Sequence, residues 1–205
     1  MQRKAEFERK SNETQIKVSL NVDGTGQAKI KTPIGFLSHM LELFAFHGYF
    51  DLDLSVTGDT HIDIHHTNED IGIALGKAFK KALGEEKAGI KRFGSAFAPM
   101  EATVGCCVID ISGRGYYKFN FSQNYLAGPI SEDKDGYSFS YVDHFMESFA
   151  LQLGATLSFT LQNPSEDLHT NLETMFKSLG LALDQATTID PRRQGKVPST
   201  KGIID

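Results

Sequence analysis

The chain has 205 residues, 40% of them hydrophobic and 23% charged, which is typical of a soluble globular protein with one large or two small domains. A formal net charge of −5 gives no reason to expect a nucleic acid or an anionic membrane as a partner. No apolar run approaches the roughly 20 residues of a membrane helix, and the charged N-terminus lacks the apolar core of a signal peptide. We therefore expect a cytoplasmic protein in which Cys106 and Cys107 stay reduced.

The first half of the chain shows strand and helix periodicities in a fixed order. They predict strand 14–22, strand 26–30, helix 36–44, strand 50–56 and helix 71–83. Turn residues Asp23 and Gly24 separate the first two strands, which we expect to form a hairpin. The second half repeats this order with segments 102–111, 116–121, 141–149, 156–161 and 175–183, and its first two strands are again expected to form a hairpin, around residues 112–115.

Two short motifs show that this order reflects an internal duplication. His39 in SHML and His144 in DHFM are 105 residues apart, and HHTNE at 65–69 precedes HTNLE at 169–173 by 104 residues. We predict an α+β fold built as a tandem duplication of a half-domain, each half with a mostly antiparallel sheet and two helices on one face. Residues 1–95 and 96–205 are the expected halves, packed as one compact unit. By composition alone, the tail PRRQGKVPSTKGIID is expected to be a solvated terminus.

The repeated histidines and glutamates predict metal binding. Residues at i and i+3 of a helix share a face, whereas neighbours diverge by about 100°. His66 and Glu69 are therefore expected to bind one ion and His65 a second. Imidazole and carboxylate ligands without thiolate favour manganese, iron or zinc.

Thr170 stands where the second copy of the motif would have its second histidine, and threonine is a poor ligand at neutral pH. Repeat symmetry then assigns a full ligand set to one ion, comprising His39, His66, Glu69 and His169. The other ion keeps only His65, His144 and Glu173. We expect one tightly and one weakly bound metal.

Several motifs in order give the chain a resemblance to a known family. They are ERKSNET at 8–14, IGFLSHML at 34–41, HGYFDL at 47–52, GDTHIDIHHTNEDIGIALG at 58–76, IKRFG at 90–94, DISGRGY at 110–116, HFMES at 144–148, LETMFK at 172–177 and PSTKG at 198–202. Over nearly its full length the chain resembles imidazoleglycerol-phosphate dehydratase, a lyase of histidine biosynthesis with a ribosomal protein S5 domain 2-like fold.

The resemblance implies two Mn²⁺ ions per subunit and a specific reaction. Imidazole glycerol phosphate loses water to give imidazole acetol phosphate, with a metal-bound imidazolate as the electron sink. A carboxylate must take the proton, and both Glu13 and Glu173 remain candidates.

The resemblance also implies substrate contacts and an assembly. Arg92, Arg114, Ser199 and Lys201 match phosphate-binding positions, whose guanidinium and ammonium groups suit a dianion. Glu13 and Lys177 are further implied substrate contacts. PSTKG then becomes an ordered phosphate loop rather than a solvated tail. The family assembles trimers into a 24-subunit shell, so a homo-oligomer is expected in which His169 meets His39 and His66 of a neighbouring chain.

Four positions depart from the family pattern: Ser38, Ala102, Ser158 and Thr170. Three interpretations are open. The chain is an active dehydratase, a diverged relative with one metal and a phosphate pocket but weak, altered or no activity, or a structural shell protein or unrelated metal hydrolase. The retained phosphate-binding residues disfavour the third interpretation.

Overall fold

The computed structural model describes residues 3–84, 87–121 and 136–204. Its strands are β1 (Lys4–Lys10), β2 (Thr14–Asn21), β3 (Ala28–Lys31), β4 (Asp51–Gly58), β5 (Phe93–Met100), β6 (Thr103–Asp110), β7 (Tyr116–Phe121) and β8 (Thr156–Gln162). Its helices are α1 (Gly35–His47), α2 (Ile64–Leu83), α3 (Phe139–Leu153) and α4 (Leu168–Thr187), followed by a short 3-10 turn, Pro191–Arg193. Within this described part, no helix is both long and apolar enough to span a membrane.

The strands form two sheets of identical topology, which confirms the predicted duplicated α+β fold. Their orders are β1-β2-β4-β3 and β5-β6-β8-β7. Each sheet has two antiparallel pairings and one parallel pairing, β3 with β4 or β7 with β8, so each is mostly antiparallel. Strand β5 crosses the expected boundary between residues 95 and 96 and pairs entirely within the second sheet.

Strands β1 and β5 were not predicted. The outward positions of β1 (KAEFERK) are charged, and Ala5 is its one fully buried residue. In β5 the usual pattern is reversed, because Phe93 and Phe97 are exposed while small residues face inward. A Cβ at Gly94 would lie 1.9 Å from the Ala182 carbonyl oxygen of α4, so close helix packing requires the glycine.

The two predicted hairpins are wrong. Strands β2 and β3 both pair with β4, which lies between them, and β6 and β7 flank β8 in the same way. The Asp51 carboxylate at the start of β4 accepts hydrogen bonds from the backbone N–H of Thr25 (2.8 Å) and of Gln27 (3.2 Å). These bonds hold the loop after β2 against the start of β4, where the chain crosses to the other side of that strand. Periodicity alone identifies strands but not their partners.

The four helices lie between the buried faces of the two sheets. Helix α2 packs on β1 and β2, and α4 packs on β5 and β6. The first helix of each half packs on the second helix of the other, α1 against α4 and α3 against α2. This exchange brings residues of the two halves together in both helix pairs.

Two glycines 104 residues apart allow the helix pairs to approach closely. A Cβ on Gly76 of α2 would lie 2.6 Å from the carbonyl oxygen of Phe149 on α3. A Cβ on Gly180 of α4 would lie 2.6 Å from the carbonyl oxygen of Phe44 on α1. Both contacts are with backbone, which cannot rotate away as a flexible side chain could.

Substituting Gly76→Ala should therefore destabilise the protein, even though alanine gains about 1 kcal/mol over glycine in helix propensity. Displacing α3 should cost more than this gain, for a net loss of about 1–3 kcal/mol in the free energy of unfolding. Gly35→Ala is the matched control, because a Cβ on Gly35 of α1 has no atom within 4 Å. Thermal and denaturant unfolding of both variants tests this, and a Gly76→Ala protein as stable as the control would contradict it.

Candidate functional site

Both histidine motifs lie in the first turn of a helix, and each is fixed there by an aspartate cap. The Asp63 side chain accepts a hydrogen bond from the His65 N–H at 2.9 Å. Asp167 accepts from the N–H of His169 and of Thr170, both at 3.2 Å. These caps satisfy free N–H groups of the helix ends and hold the imidazoles at the start of α2 and α4.

A first cluster joins α1 of the first half to α4 of the second. The Glu173 Oε1 lies 2.9 Å from His169 Nε2 and 3.4 Å from His39 Nε2. One ligand atom from each of these three half-buried residues lies within 4.8 Å of the others. The first cluster therefore converges on one point.

A second cluster, His65, Glu69 and His144, occupies the repeat-related positions on α2 and α3. The Nδ1 atoms of His65 and His144 are 3.1 Å apart, and His65 Nε2 is 3.6 Å from Glu69 Oε2. Because the two contacts use opposite nitrogens of the His65 ring, these groups do not converge as the first cluster does. A ring rotation is needed before all three can bind one ion.

The grouping differs from the one expected from repeat symmetry. Within one chain Glu173 lies with His39 and His169, not with His65 and His144. Each glutamate pairs with the histidine four residues before it, whereas a separation of three was expected. Both separations place side chains on one helix face, and the cross-packing of the halves decides between them.

His66 and Thr170 lie outside both clusters in the single chain. The Nδ1 atom of His66 is 3.3 Å from Asp59 Oδ2, an arrangement that directs its Nε2 away from the carboxylate. The Thr170 hydroxyl donates a hydrogen bond to Asp167 Oδ2 at 3.0 Å and so adds to the cap of α4. The two repeat-equivalent positions therefore have different roles, one a presented imidazole and the other a capping hydroxyl.

The carboxylate of Glu173 is strongly held in its ionised form. Partial burial alone would raise the pKa of Glu173, but hydrogen bonds from Lys177 and His169 outweigh it and lower the pKa to about 2. Lys177 was expected to contact substrate, and in the free chain its ammonium donates to Glu173. Burial lowers the pKa of His47, and the neighbouring Lys177 lowers it further.

Glu13 is exposed and lies in the turn between β1 and β2. Its backbone carbonyl accepts a hydrogen bond from the Asp59 N–H at 3.2 Å. The Asp59 hydrogen bond raises the pKa of His66, and the charge of Glu13 raises it further. Glu13 is thus in electrostatic contact with His66.

The first cluster fits a divalent cation. With metal–ligand bonds of about 2.1 Å, two ligand atoms of one ion are about 3 Å apart when adjacent and about 4 Å apart when opposite. The observed separations approach these values, and small side-chain rotations would complete the fit. Nitrogen and oxygen donors in this combination suit manganese, iron or zinc.

The four expected phosphate-binding residues line one cavity of about 160 Å³. It is lined by Arg92, Ser112, Arg114, Ser199, Thr200, Lys201 and Ile203. The tail that composition alone assigned to solvent is folded back here. Its Lys196 carbonyl accepts the Gly89 N–H at 3.0 Å, and its Ser199 Oγ accepts the Lys201 N–H at 3.2 Å.

The remaining departures from the family pattern lie in α1, in the turn between β5 and β6, and in β8. Ser38 hydrogen-bonds Thr32 Oγ1 at 2.9 Å and donates to the Ile34 carbonyl at 3.1 Å, at the start of α1. Ala102 is exposed in the turn between β5 and β6. Ser158 lies in β8, in register with Val108 of β6.

Two residues of the site, Asp59 and Asp110, were not predicted. Asp59 contacts His66, and Asp110 binds Arg92 through two hydrogen bonds. A search restricted to repeated histidines and glutamates cannot find either aspartate. Their one signal was position, since each lies inside a family motif, GDTHIDIHH or DISGRGY.

A sequence model of the family described as "Imidazoleglycerol-phosphate dehydratase" matches residues 32–183, which is more than half of the chain. The chain belongs to the imidazoleglycerol-phosphate dehydratase family. Among its relatives, imidazoleglycerol-phosphate dehydratase of Geobacillus kaustophilus is 46% identical over 205 residues, and the alignment covers all of both chains. The dehydratase of Geobacter sulfurreducens is likewise 46% identical over 205 residues with complete coverage.

Solved structures of dehydratases share the fold. The crystal structure of IGPD from Pyrococcus furiosus has a TM-score of 0.77 and 34% identity, covering 96% of this chain and 99% of that one. Imidazoleglycerol-phosphate dehydratase from Staphylococcus aureus has a TM-score of 0.75 and 30% identity, covering 91% and 99%. The dehydratase fold therefore extends over most of the chain.

Proposed function

We propose that the protein is a hydro-lyase that dehydrates imidazole glycerol phosphate to imidazole acetol phosphate in histidine biosynthesis. The observation that carries the proposal is the first cluster, a convergent histidine–carboxylate group assembled from both halves of a dehydratase-family chain. The phosphate cavity, lined by two arginines and a lysine, supports a phosphorylated small molecule as substrate.

We assign Mn²⁺ as the cofactor, with one strong and one weak site per subunit. His39, His169 and Glu173 would hold the strong ion, and His65, Glu69 and His144 the weak one. When bound, the metal supplies Lewis-acid stabilisation of negative charge on the imidazole ring of the substrate. The convergence of the first cluster and the divergence of the second support this inequality.

Glu13 is the better proton acceptor of the two candidates. Glu173 has a pKa of about 2 and three neighbours that stabilise its charge, so it is a poor base at neutral pH. Glu13 is exposed and uncommitted to an ion pair among those the structure records. In this assignment Glu13 takes the carbon-bound proton, the bond from the adjacent carbon to its hydroxyl breaks, and that proton and the departing hydroxide leave together as water. The resulting enol then becomes the ketone.

The proposal includes a homo-oligomer of 24 subunits built from trimers, and a cytoplasmic location. The position of His66 supports assembly, because its Nε2 points away from Asp59 and the residue belongs to neither cluster of its own chain. We assign His66 to the first cluster of a neighbouring chain, where it would complete the strong site. Lys177 is assigned to substrate binding and would be released from Glu173 when the metal neutralises that carboxylate.

Thr170 supports a second candidate function. A relative that keeps one metal and the phosphate cavity, but has weak, altered or no dehydratase activity, would need neither the missing histidine nor an occupied second cluster. The direct use of the Thr170 hydroxyl in helix capping is compatible with this alternative.

Turnover of imidazole glycerol phosphate by the purified, Mn²⁺-loaded assembly tests the proposal. We expect the ketone to appear, turnover to stop after chelation and to return when Mn²⁺ is added back. Glu13→Gln should lower the turnover number while leaving the stoichiometry of bound metal unchanged. Phosphate binding without any turnover would favour the diverged relative instead.

A further inference from the structure

The phosphate cavity contains one arginine whose position is fixed from two sides. Arg92 donates from Nε to Asp110 Oδ1 at 2.6 Å and from Nη2 to Asp110 Oδ2 at 3.0 Å. Its Nη1 donates to the carbonyl of Pro198 at 3.1 Å. The guanidinium therefore links the end of β6 to the C-terminal loop that carries Ser199 and Lys201.

The backbone at Arg92 is in a conformation that L-residues rarely adopt, with φ at +77°. Its N–H donates to the Ala186 carbonyl at 2.8 Å, and its carbonyl accepts the Ile111 N–H at 3.1 Å. A non-glycine residue in this region is strained and persists where the surroundings require it. The strain is therefore located where the side chain is held to Asp110.

The C-terminal loop, residues 196–202, has few recorded backbone hydrogen bonds to the body of the protein, although Pro198 within it is buried. In the described part of the chain they run from the Gly89 N–H to the Lys196 carbonyl and from the Lys196 N–H to the Arg193 carbonyl. Its remaining bonds, such as Ser199 N–H to Val197 and Gly202 N–H to Ser199, are internal. The Arg92–Pro198 bond thus fixes the segment that contributes Ser199 and Lys201 to the cavity.

We propose that Asp110 is a positioning residue of the phosphate site, which orients Arg92 and, through Arg92, the C-terminal loop. This inference rests on the proposed phosphate-binding function of the cavity. The two hydrogen bonds to Asp110 leave Nη1 and one proton of Nη2 for the loop and a phosphate oxygen. Asp110 itself, as a carboxylate, is not expected to contact the phosphate.

Removing the charge of Asp110 should change the affinity for phosphate in opposite directions, depending on whether Asp110 acts through its charge or by positioning Arg92. If the carboxylate acted only through its charge, Asp110→Asn would reduce repulsion and tighten the binding of a dianion. If it acts by positioning, the same substitution frees the guanidinium and the loop and weakens binding. Hydrogen bonds to charged groups are worth about 1.5–3 kcal/mol, so we expect about tenfold weaker binding or more.

The test compares Asp110→Asn with Asp190→Asn in the full-length assembly. Asp190 makes a similar two-bond contact with Arg192, at 2.8 and 2.7 Å, but neither residue lines the cavity. Calorimetry with inorganic phosphate and with imidazole glycerol phosphate should show weaker binding for Asp110→Asn and unchanged binding for Asp190→Asn. In turnover, Asp110→Asn should raise KM about tenfold while kcat changes less than about threefold. Arg92→Lys, which keeps the charge but not the fork, should behave in the same way.

Hydrogen exchange of the ligand-free protein gives a readout that is independent of substrate. Amides of residues 196–202 should exchange faster in Asp110→Asn than in wild type or Asp190→Asn. Unchanged exchange, or phosphate binding as tight as wild type or tighter, would overturn the positioning role. Failure of the proposed dehydratase function would appear separately, as absence of turnover in the wild-type protein whose loop is still ordered by Asp110.

Discussion

Replacing Glu173 by glutamine should remove the ion of the proposed strong site and lower dehydratase turnover by at least about 100-fold. That figure is the upper end of the losses seen for residues that only support a metal ligand, and Glu173 is itself a proposed ligand. Glu173 is the residue on which the first cluster converges, and hydrogen bonds from Lys177 and His169 lower its pKa to about 2, so its side chain is an anion at neutral pH. Glutamine keeps the shape but not the charge, and it leaves the Lys177 ammonium without its anionic partner. Metal content by elemental analysis and Mn²⁺ affinity by calorimetry measure the loss directly.

The internal duplication supplies a matched control for this variant. Glu69 occupies the equivalent position in the second cluster, so Glu69→Gln should remove the weak ion and leave the strong one bound. Glu42→Gln changes an exposed carboxylate on α1, three residues after His39, and should alter neither ion. If Glu173→Gln retained a full equivalent of tightly bound Mn²⁺, the assignment of the strong site to the first cluster would be wrong.

The histidines and glutamates of the two clusters could be predicted from the sequence, but their grouping could not. The repeat made His39, His144 and the two histidine–glutamate motifs visible, because equivalent residues recur at a nearly constant separation. Helix geometry permits both three- and four-residue pairs on one face. Which pair forms depends on α1 packing against α4 and α3 against α2, a contact between halves that no local pattern encodes.

The fold class could be predicted from the repeated order of strands and helices, but strands β1 and β5 could not. Alternation identified the strands whose buried positions carry large apolar residues, such as β2 and β4. In β5 the inward positions are occupied by Gly94, Ala96 and Ala98, because α4 packs closely against them. In such a strand the large hydrophobic residues lie on the exposed face, so the alternation of large hydrophobic residues does not identify the buried face.

In the C-terminal tail, composition predicted the exposure of most residues, but it did not predict the contacts that order the segment, which the resemblance implied. Its charges and turn residues are typical of a solvated terminus, yet Ser199, Thr200, Lys201 and Ile203 line the cavity that also contains Arg92. The bonds that fold it back come mainly from Gly89 and Arg92, more than a hundred residues earlier in the chain. A distant contact of this kind leaves no trace in local sequence.

Restoring a histidine at position 170 should strengthen the weak metal site. Position 170 is the repeat equivalent of His66, whose Nε2 is presented away from its own chain's clusters. If His66 completes the first cluster of a neighbour, an imidazole at 170 is placed by the same symmetry to complete a second cluster. We expect Thr170→His to raise the affinity for the second Mn²⁺ by about tenfold or more, within the range typical of an added or lost supporting interaction.

The substitution also carries a structural cost that must be separated from its effect on metal binding. Thr170 is buried, and its hydroxyl donates to Asp167 at the N-terminus of α4. Thr170→Val removes the hydroxyl at nearly constant volume and should lower the free energy of unfolding by about 1 kcal/mol, without changing metal content. Comparing the histidine variant with the valine variant isolates the imidazole.

Titration of the metal-free assembly with Mn²⁺ tests whether position 170 contributes to the second metal site. Wild type should bind one equivalent tightly and a second weakly, and Thr170→His should bring the two affinities closer together. Two equally tight ions in the wild-type protein would show that Thr170 deprives neither site of a ligand. An unchanged second affinity in a folded Thr170→His assembly would mean that position 170 does not face a metal, and that the inequality arises from the diverging contacts of His65 alone.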